Sequence, residues 1–263
     1  MTLLQAAILG VVEGITEFLP VSSTGHLLLA QHLMGIEGAE GGAFAIVIQA
    51  GAIAAVIGEY PHRFRSVLAG VTGGDVAGRR LLTLLVLAFA PAAVIGLAFD
   101  DAVEALLVGL WPVVVAWFVG GVAIWAVSGR YGGQSLESLN WRQAVAIGLA
   151  QCLALWPGTS RSLVTILAAG WLGLSLPAAV EFSFLLGFVT LSAATVYSAL
   201  KHGSELLAAY GPEAIGVAFI SAWISAALSI RWLVGWLSHH GLGVFAVWRI
   251  GLALAVGGWL LAR

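Results

Sequence analysis

The stretch Glu13-Gly14-Ile15-Thr16-Glu17-Phe18-Leu19-Pro20-Val21-Ser22-Ser23-Thr24-Gly25-His26 joins an apolar run starting at Leu3 to a second apolar run, Leu27-Leu28-Leu29-Ala30. Pro20 ends one helix, and the small hydroxyl residues after it read as the start of another. Glu13 and Glu17 stand four residues apart before the break, so on a helix their carboxylates share one face. An acid in mid-membrane costs about 2.5 to 3.5 kcal/mol on insertion scales. No Lys or Arg lies near this pair in sequence, so the carboxylates are expected to face a polar cavity. The Ser22-Ser23-Thr24-Gly25 restart would offer free backbone N–H groups and the positive end of a helix dipole, a suitable seat for phosphate.

The pattern recurs. Gly148-Leu149-Ala150-Gln151 leads to Pro157-Gly158-Thr159-Ser160-Arg161-Ser162, followed by the apolar Leu163-Val164-Thr165-Ile166-Leu167. Arg161 needs a carboxylate or a phosphate to offset its desolvation in apolar surroundings; Glu13, Glu17 or a bound phosphate would serve. Each broken segment is followed by a span with a polar residue, Gln49 in the first half and Glu181 in the second. Two similarly interrupted segments in corresponding halves are the mark of an inverted-repeat membrane fold with a site near the repeat interface. The expectation is one membrane domain over 1–263, with repeat one at about 1–130 and repeat two at about 140–263.

Composition agrees with an all-α polytopic membrane protein. The chain is 60% hydrophobic and 9% charged, against a charged fraction of about 25% in soluble domains. Apolar runs at Leu3–Val12, Ala43–Ile57, Leu81–Ala98, Leu106–Val127, Phe182–Leu200, Ala214–Leu237 and Leu242–Leu261 include several near span length. They are apolar all round, which suits helices and not the alternating strands of a barrel. The first run lacks a basic flank and a small-residue cleavage site, so it is not expected to be a removable signal. Arg63, Arg65, Arg79 and Arg80 in one loop and Arg130 and Arg142 in another are expected on the cytoplasmic side. The acidic connector Asp100-Asp101-Ala102-Val103-Glu104 between them would then face outward. A net charge of −2 without a basic run argues against nucleic acid as a partner. Cys152, the single cysteine, is expected in ordinary packing, and the pair His239-His240 and His32, His62 and His202 carry no supporting neighbours. Arg231 is expected to snorkel or to pair with an acid such as Glu181.

Together the two broken segments supply carboxylates, hydroxyl groups, a histidine and an arginine, the groups needed for phosphoryl transfer. Glu and His without thiolates could hold a hard divalent cation, Mg²⁺ or Ca²⁺, with a diphosphate supplying further oxygens.

The segments Glu13–His26 and Pro157–Ser162 resemble the two signature motifs of the undecaprenyl-diphosphatase (BacA/UppP) family. Gln49, the run Gln151–Trp156, Glu181-Phe182-Ser183-Phe184-Leu185-Leu186 and Arg249 extend the likeness over essentially the whole chain. The resemblance implies a bacterial plasma-membrane phosphatase that converts undecaprenyl diphosphate, a polyprenyl diphosphate lipid, to the monophosphate. That step recycles the carrier lipid for cell-wall synthesis. It implies inverted repeats with about six transmembrane helices and two pairs of re-entrant helices, around a site open to the periplasm. A homodimer in the bilayer belongs to the same set of expectations. By motif position Glu17 and Glu13 would bind metal or act as acid and base, and Ser23 or His26 would attack phosphorus. Arg161 would grip the diphosphate. Ser22, Thr24, Gly25, Gly158, Thr159, Ser160 and Ser162 would line the phosphate cradle, with Gln49 and Arg249 as further substrate-binding residues; Arg249, between Trp248 and Ile250 in the last span, is equally a candidate for a buried supporting role. Two departures stand out: Leu163, where the family usually has glycine, and Gly187-Phe188-Val189, where it usually has a proline. A leucine would disturb the cradle if that glycine served a positive φ or a close backbone approach. A flippase or secondary transporter of an anionic lipid is the competing reading, since broken helices also build transporters.

Overall fold

The computed structural model describes residues 1–36, 39–99, 109–127 and 129–262, without the side chains of 39–43, 46 and 202–209. The acidic connector at 100–104 and the side chain of His202 therefore lie outside the described residues. In chain order the helices are α1 (Leu3–Thr16), α2 (Ser23–Leu33), α3 (Ala39–Glu59), α4 (Pro61–Val71), α5 (Val76–Ala98), α6 (Trp111–Val127), α7 (Trp141–Gln151), α8 (Arg161–Trp171), α9 (Leu176–Ala209), α10 (Pro212–Leu237) and α11 (Gly243–Leu261). Among the described residues the only β pairing is an isolated bridge between Gln134 and Leu174.

Four helices are long and apolar enough to cross a membrane: α5, α9 over Leu176–Lys201, α10 and α11. Their outward faces carry large exposed apolar side chains such as Val94, Leu200, Leu228 and Leu254. Such faces are stable in lipid, where apolar exposure carries no hydration penalty. The protein is thus a helical membrane protein, as its composition requires.

Small residues set the helix contacts, as expected without a hydrophobic drive between helices in lipid. α1 lies against α10, where a Cβ on Gly14 would come within 2.7 Å of the Ala226 nitrogen. α7 lies against α5, with Gly148 on the Ala88 backbone. α3 packs on α9 and α6 on α11, while α1 pairs with α2 and α7 with α8. Cys152 is half-buried beside Gly148, its thiol 3.4 Å from that carbonyl, an ordinary helix contact.

The two arginine-bearing connections meet, the first of them folded mostly as α4 and the start of α5 and not as the loop expected from sequence. Arg63 bonds Glu181 at 2.7 Å and Glu137 at 2.8 Å, and Arg80 donates to the carbonyls of Glu137 and Leu139. The Arg63 bond to Glu137 holds that carboxyl below its ordinary range, and the Glu181 carboxylate raises the Arg63 guanidinium further. The segments on either side of α7 and α8 also join: Gly132 N donates to Leu174 O at 3.1 Å and Ser175 N to Gln134 O at 2.9 Å. Arg231 pairs with Glu59 at 3.2 Å. The pairing with Glu181 expected from sequence does not form, because Arg63 occupies that carboxylate.

Candidate active site

In the first broken segment α1 ends at Thr16, whose hydroxyl bonds Val12 O at 2.6 Å, and one more helical bond runs from Glu17 N to Glu13 O at 2.8 Å. After Pro20 the chain turns, and Ser22 caps α2 with φ +75°, its Oγ accepting from Gly25 N at 3.3 Å. A left-handed L-residue costs about 1 to 2 kcal/mol, and here local bonds hold it. The Ser22 carbonyl accepts from His26 N at 3.3 Å and lies 2.7 Å from His26 Nδ1.

The second segment repeats this conformation. α7 tightens into a 3₁₀ turn at Cys152–Leu155, Gly158 takes φ +89°, and Ser160 caps α8 with φ +77°, its Oγ accepting from Leu163 N at 3.3 Å. Ser22 and Ser160 are the only non-glycine residues with positive φ among the described residues. Leu163 occupies the place of Gly25, but the left-handed conformation falls on the serine three residues earlier, so the leucine sits in ordinary helix. It is buried in the core. At Gly25, by contrast, a Cβ would lie 2.7 Å from the Trp117 and Val113 side chains, so close approach is needed there.

Glu17 is the meeting point. One carboxylate oxygen accepts from Ser23 Oγ and the other from Arg161 Nη2 at 3.1 Å. Arg161 also donates through Nη1 to Ser183 O at 2.9 Å, and its guanidinium lies 5.9 Å from the Phe18 ring centroid. Gly187 clears room for it, since a Cβ there would sit 2.6 Å from Arg161 Nη2. Among the buried atoms without a partner are Arg161 Nε and Glu13 Oε2. An unused cation donor and an unused carboxylate oxygen in one buried place suit a bound phosphate and a bound cation.

A seam ties the segments together. Ser162 Oγ donates to Leu19 O at 2.9 Å, and Trp117 Nε1 to Val21 O at 3.0 Å. Arg249 is fully buried, donating to Pro20 O at 3.3 Å, Gly158 O at 3.0 Å, Ala116 O at 2.7 Å and Trp117 O at 3.3 Å. It therefore braces both turns from behind with bonds to backbone carbonyls.

The structure thus brings together Glu13, Glu17, Ser22, Ser23, His26, Ser160, Arg161, Ser162 and Arg249 around two touching turns. Thr24 is exposed on α2, Thr159 caps its turn through a bond from its N–H to Trp156 O at 3.2 Å, and Gln49 accepts from Thr195 at 2.9 Å, joining α3 to α9. Sequence reasoning missed Thr165, Ser183 and Gly187 as residues that hold Arg161. The Thr165 hydroxyl bonds Arg161 O at 2.9 Å and Ser183 Oγ at 2.7 Å. Thr165 follows Arg161 by four residues, a spacing that could have flagged it. Gln151, at the place that Glu13 holds in the first segment, is buried with its Nε2 unpartnered. No group of three or more His, Cys, Asp and Glu side chains stands together among the described residues. Glu13 and Glu17 are a two-carboxylate, all-oxygen donor set.

The family profile described as bacitracin resistance protein BacA matches residues 6–255. Among curated relatives, undecaprenyl-diphosphatase 2 of Rhodospirillum rubrum is 45% identical over 97% of this chain and 93% of its own length. Undecaprenyl-diphosphatase 1 of Chromobacterium violaceum is 44% identical over 98% and 96%, and undecaprenyl-diphosphatase of Nitrosospira multiformis 43% over 97% and 93%.

Proposed function

The chain belongs to the bacitracin resistance protein BacA family, and from that premise we propose that it is a membrane phosphatase hydrolysing undecaprenyl diphosphate to the monophosphate and inorganic phosphate, which recycles the carrier lipid for cell-wall synthesis. The observation that carries the reading is the linked set Ser23–Glu17–Arg161, a hydroxyl on a carboxylate that a guanidinium also holds. Ser23 Oγ attacks the terminal phosphorus and passes its proton to Glu17. The bond from that phosphorus to the bridging oxygen breaks, and the polyprenyl monophosphate leaves. Glu17 gives that proton to the leaving oxygen, then takes one from water as the water attacks the phosphoserine, and passes it to Ser23 Oγ as the phosphorus–Oγ bond breaks and phosphate leaves. Arg161, swinging its donors from Glu17 toward the phosphate oxygens, neutralises the charge on the transferring group. Ser22 and Ser160 contribute the two helix starts whose backbone N–H groups receive phosphate oxygens.

Glu13 and Glu17 would hold the divalent cation, Mg²⁺ or Ca²⁺, with the diphosphate and water completing its oxygen shell. The unpartnered Glu13 Oε2 supports this assignment. When bound, the ion would draw charge from the phosphate oxygens.

We assign the broken segments to re-entrant pairs in inverted repeats. The support is the matched packing: α1 on α10 answers α7 on α5, α2 answers α8, and α3 with α9 and α6 with α11 pair as counterparts. α3 and α6 join the four long helices as spans, making six. The joined loops at 60–80 and 129–142 then mark the cytoplasmic end, and the site opens toward the periplasm. A transporter of the same lipid would have no use for a hydroxyl held on a carboxylate.

The test is phosphate release from a short polyprenyl diphosphate by purified protein, with and without EDTA. Glu17→Ala, Ser23→Ala and Arg161→Ala are each expected to lower turnover by at least about a hundredfold with folding intact, and EDTA to abolish it. A folded wild type that releases no phosphate from any prenyl diphosphate would overturn the reading.

A further inference from the structure

His26 has both ring nitrogens engaged. Nδ1 lies 2.7 Å from the Ser22 carbonyl, and Nε2 lies 3.0 Å from Nε1 of Trp248 on α11. A carbonyl can only accept and an indole N–H can only donate. Only one form of the ring satisfies both contacts: the neutral imidazole with its proton on Nδ1 and a bare Nε2. The Trp248 ring is nearly parallel to it, at 8° with centroids 6.1 Å apart, and the Trp117 ring closes its other side edge-on at 5.3 Å. Trp248 is itself more than half exposed.

The bond from Nδ1 ends on the carbonyl of a residue with φ +75°, and that carbonyl shares a rigid peptide plane with the N–H of Ser23. Fixing one fixes the other. The geometry points to Trp248 as a positioning residue for the reaction: its indole N–H anchors the bare Nε2 of the His26 tautomer that the Ser22 carbonyl requires, and so holds the ring that braces the left-handed Ser22 and aims Ser23 at Glu17. This rests on the reading above, in which Ser23 is the attacking group. His26 acts through the Ser22 peptide, and its Nε2 lone pair is turned to the indole and away from phosphorus. Nothing in the motif resemblance or in the relatives' names marks Trp248, which in sequence passes for one more lipid-facing tryptophan.

The experiment compares wild type, Trp248→Phe, His26→Asn and the double variant by steady-state phosphate release, and reads the tautomer by ¹⁵N NMR of histidine-labelled protein. Trp248→Phe keeps the ring face and loses the donor. Its kcat should fall about tenfold, with KM within about twofold, as for loss of one well-made hydrogen bond acting through position. Its His26 should keep the proton on Nδ1, with the Nε2 resonance shifted by loss of the indole donor. His26→Asn retains a side-chain N–H for the Ser22 carbonyl but has no lone pair facing Trp248, so adding Trp248→Phe to it should change kcat by less than about twofold. Trp232→Phe, on the exposed face of α10, should behave as wild type. Unchanged kcat in Trp248→Phe, or full additivity in the double variant, overturns the proposal. So does a wild-type spectrum with the His26 proton on Nε2, a result independent of how any variant folds. A wild type without turnover counts against the phosphatase reading, while the tautomer still reports on the brace.

Discussion

The two broken segments share a backbone and divide the chemistry. Each runs down a helix, breaks at a proline, passes through a serine with φ near +76° and restarts with that serine capping the third residue on. On this common frame Ser23 holds the place that Arg161 holds in the second copy, both bonded to Glu17, and Glu13 is matched by Gln151. The first copy supplies hydroxyl and carboxylates, the second the guanidinium. Only their junction has both signs of charge, so the site exists only where the copies touch. A backbone that presents free N–H groups can be reused unchanged, while a few side chains decide which copy attacks and which one holds.

Changes that make the copies more alike, or pull them apart, should break this division. Glu13→Gln gives the first segment the side chain of the second and removes half of the carboxylate set. Turnover should drop by about a thousandfold, with thermal unfolding unchanged, as measured by phosphate release beside a melting curve. Retained activity would mean that the difference between the copies at this place is incidental. Leu163→Gly makes the second segment resemble the first and empties a buried place in α8. It should cost about 3 kcal/mol in denaturant unfolding, because the leucine packs the core and no left-handed backbone waits for a glycine. Stabilisation would show that Leu163 strains the cradle. Gly187→Ala pushes on the arginine that only the second copy has, and should lower kcat/KM about tenfold with little change in stability. The mildest probe is acid. Glu137 beside Arg63 has its carboxyl held below the ordinary range, so its contribution is complete above the unfolded carboxylate pKa of about 4.3 and is lost as pH falls through the lower folded value. Hydrogen exchange in the loop at 129–140, which joins the ends of the second segment, should then quicken below about pH 4, before exchange in α1 and α2.

Much of this was legible in the chain. Pro20 and Pro157 announced the breaks, the paired acids and Arg161 announced a polar centre, and the arginine loops proved to be neighbours. At Leu163 the positive φ that would have required glycine falls on Ser160 instead, and sequence does not say which residue of a turn carries that angle. The role of Gly187 was hidden, since the need for a missing Cβ arises from a side chain 26 positions away. Arg249 was read both as a buried supporting residue and as a substrate-binding one, and its bonds go to four carbonyls. Charge in an apolar span announces a partner, and backbone is the partner that composition cannot display. The tie of His26 to Trp248 joins residues 222 apart and left no local trace.

Arg249 also sets a timetable. A ribosome delivers Ser23 to the membrane more than two hundred residues before it delivers the arginine that fastens both turns. Until that late helix is threaded in, the carbonyls of Pro20 and Gly158 have no clamp and the nucleophile has no fixed aim. A chain that reached only as far as α10 would lack the one side chain that fastens both turns.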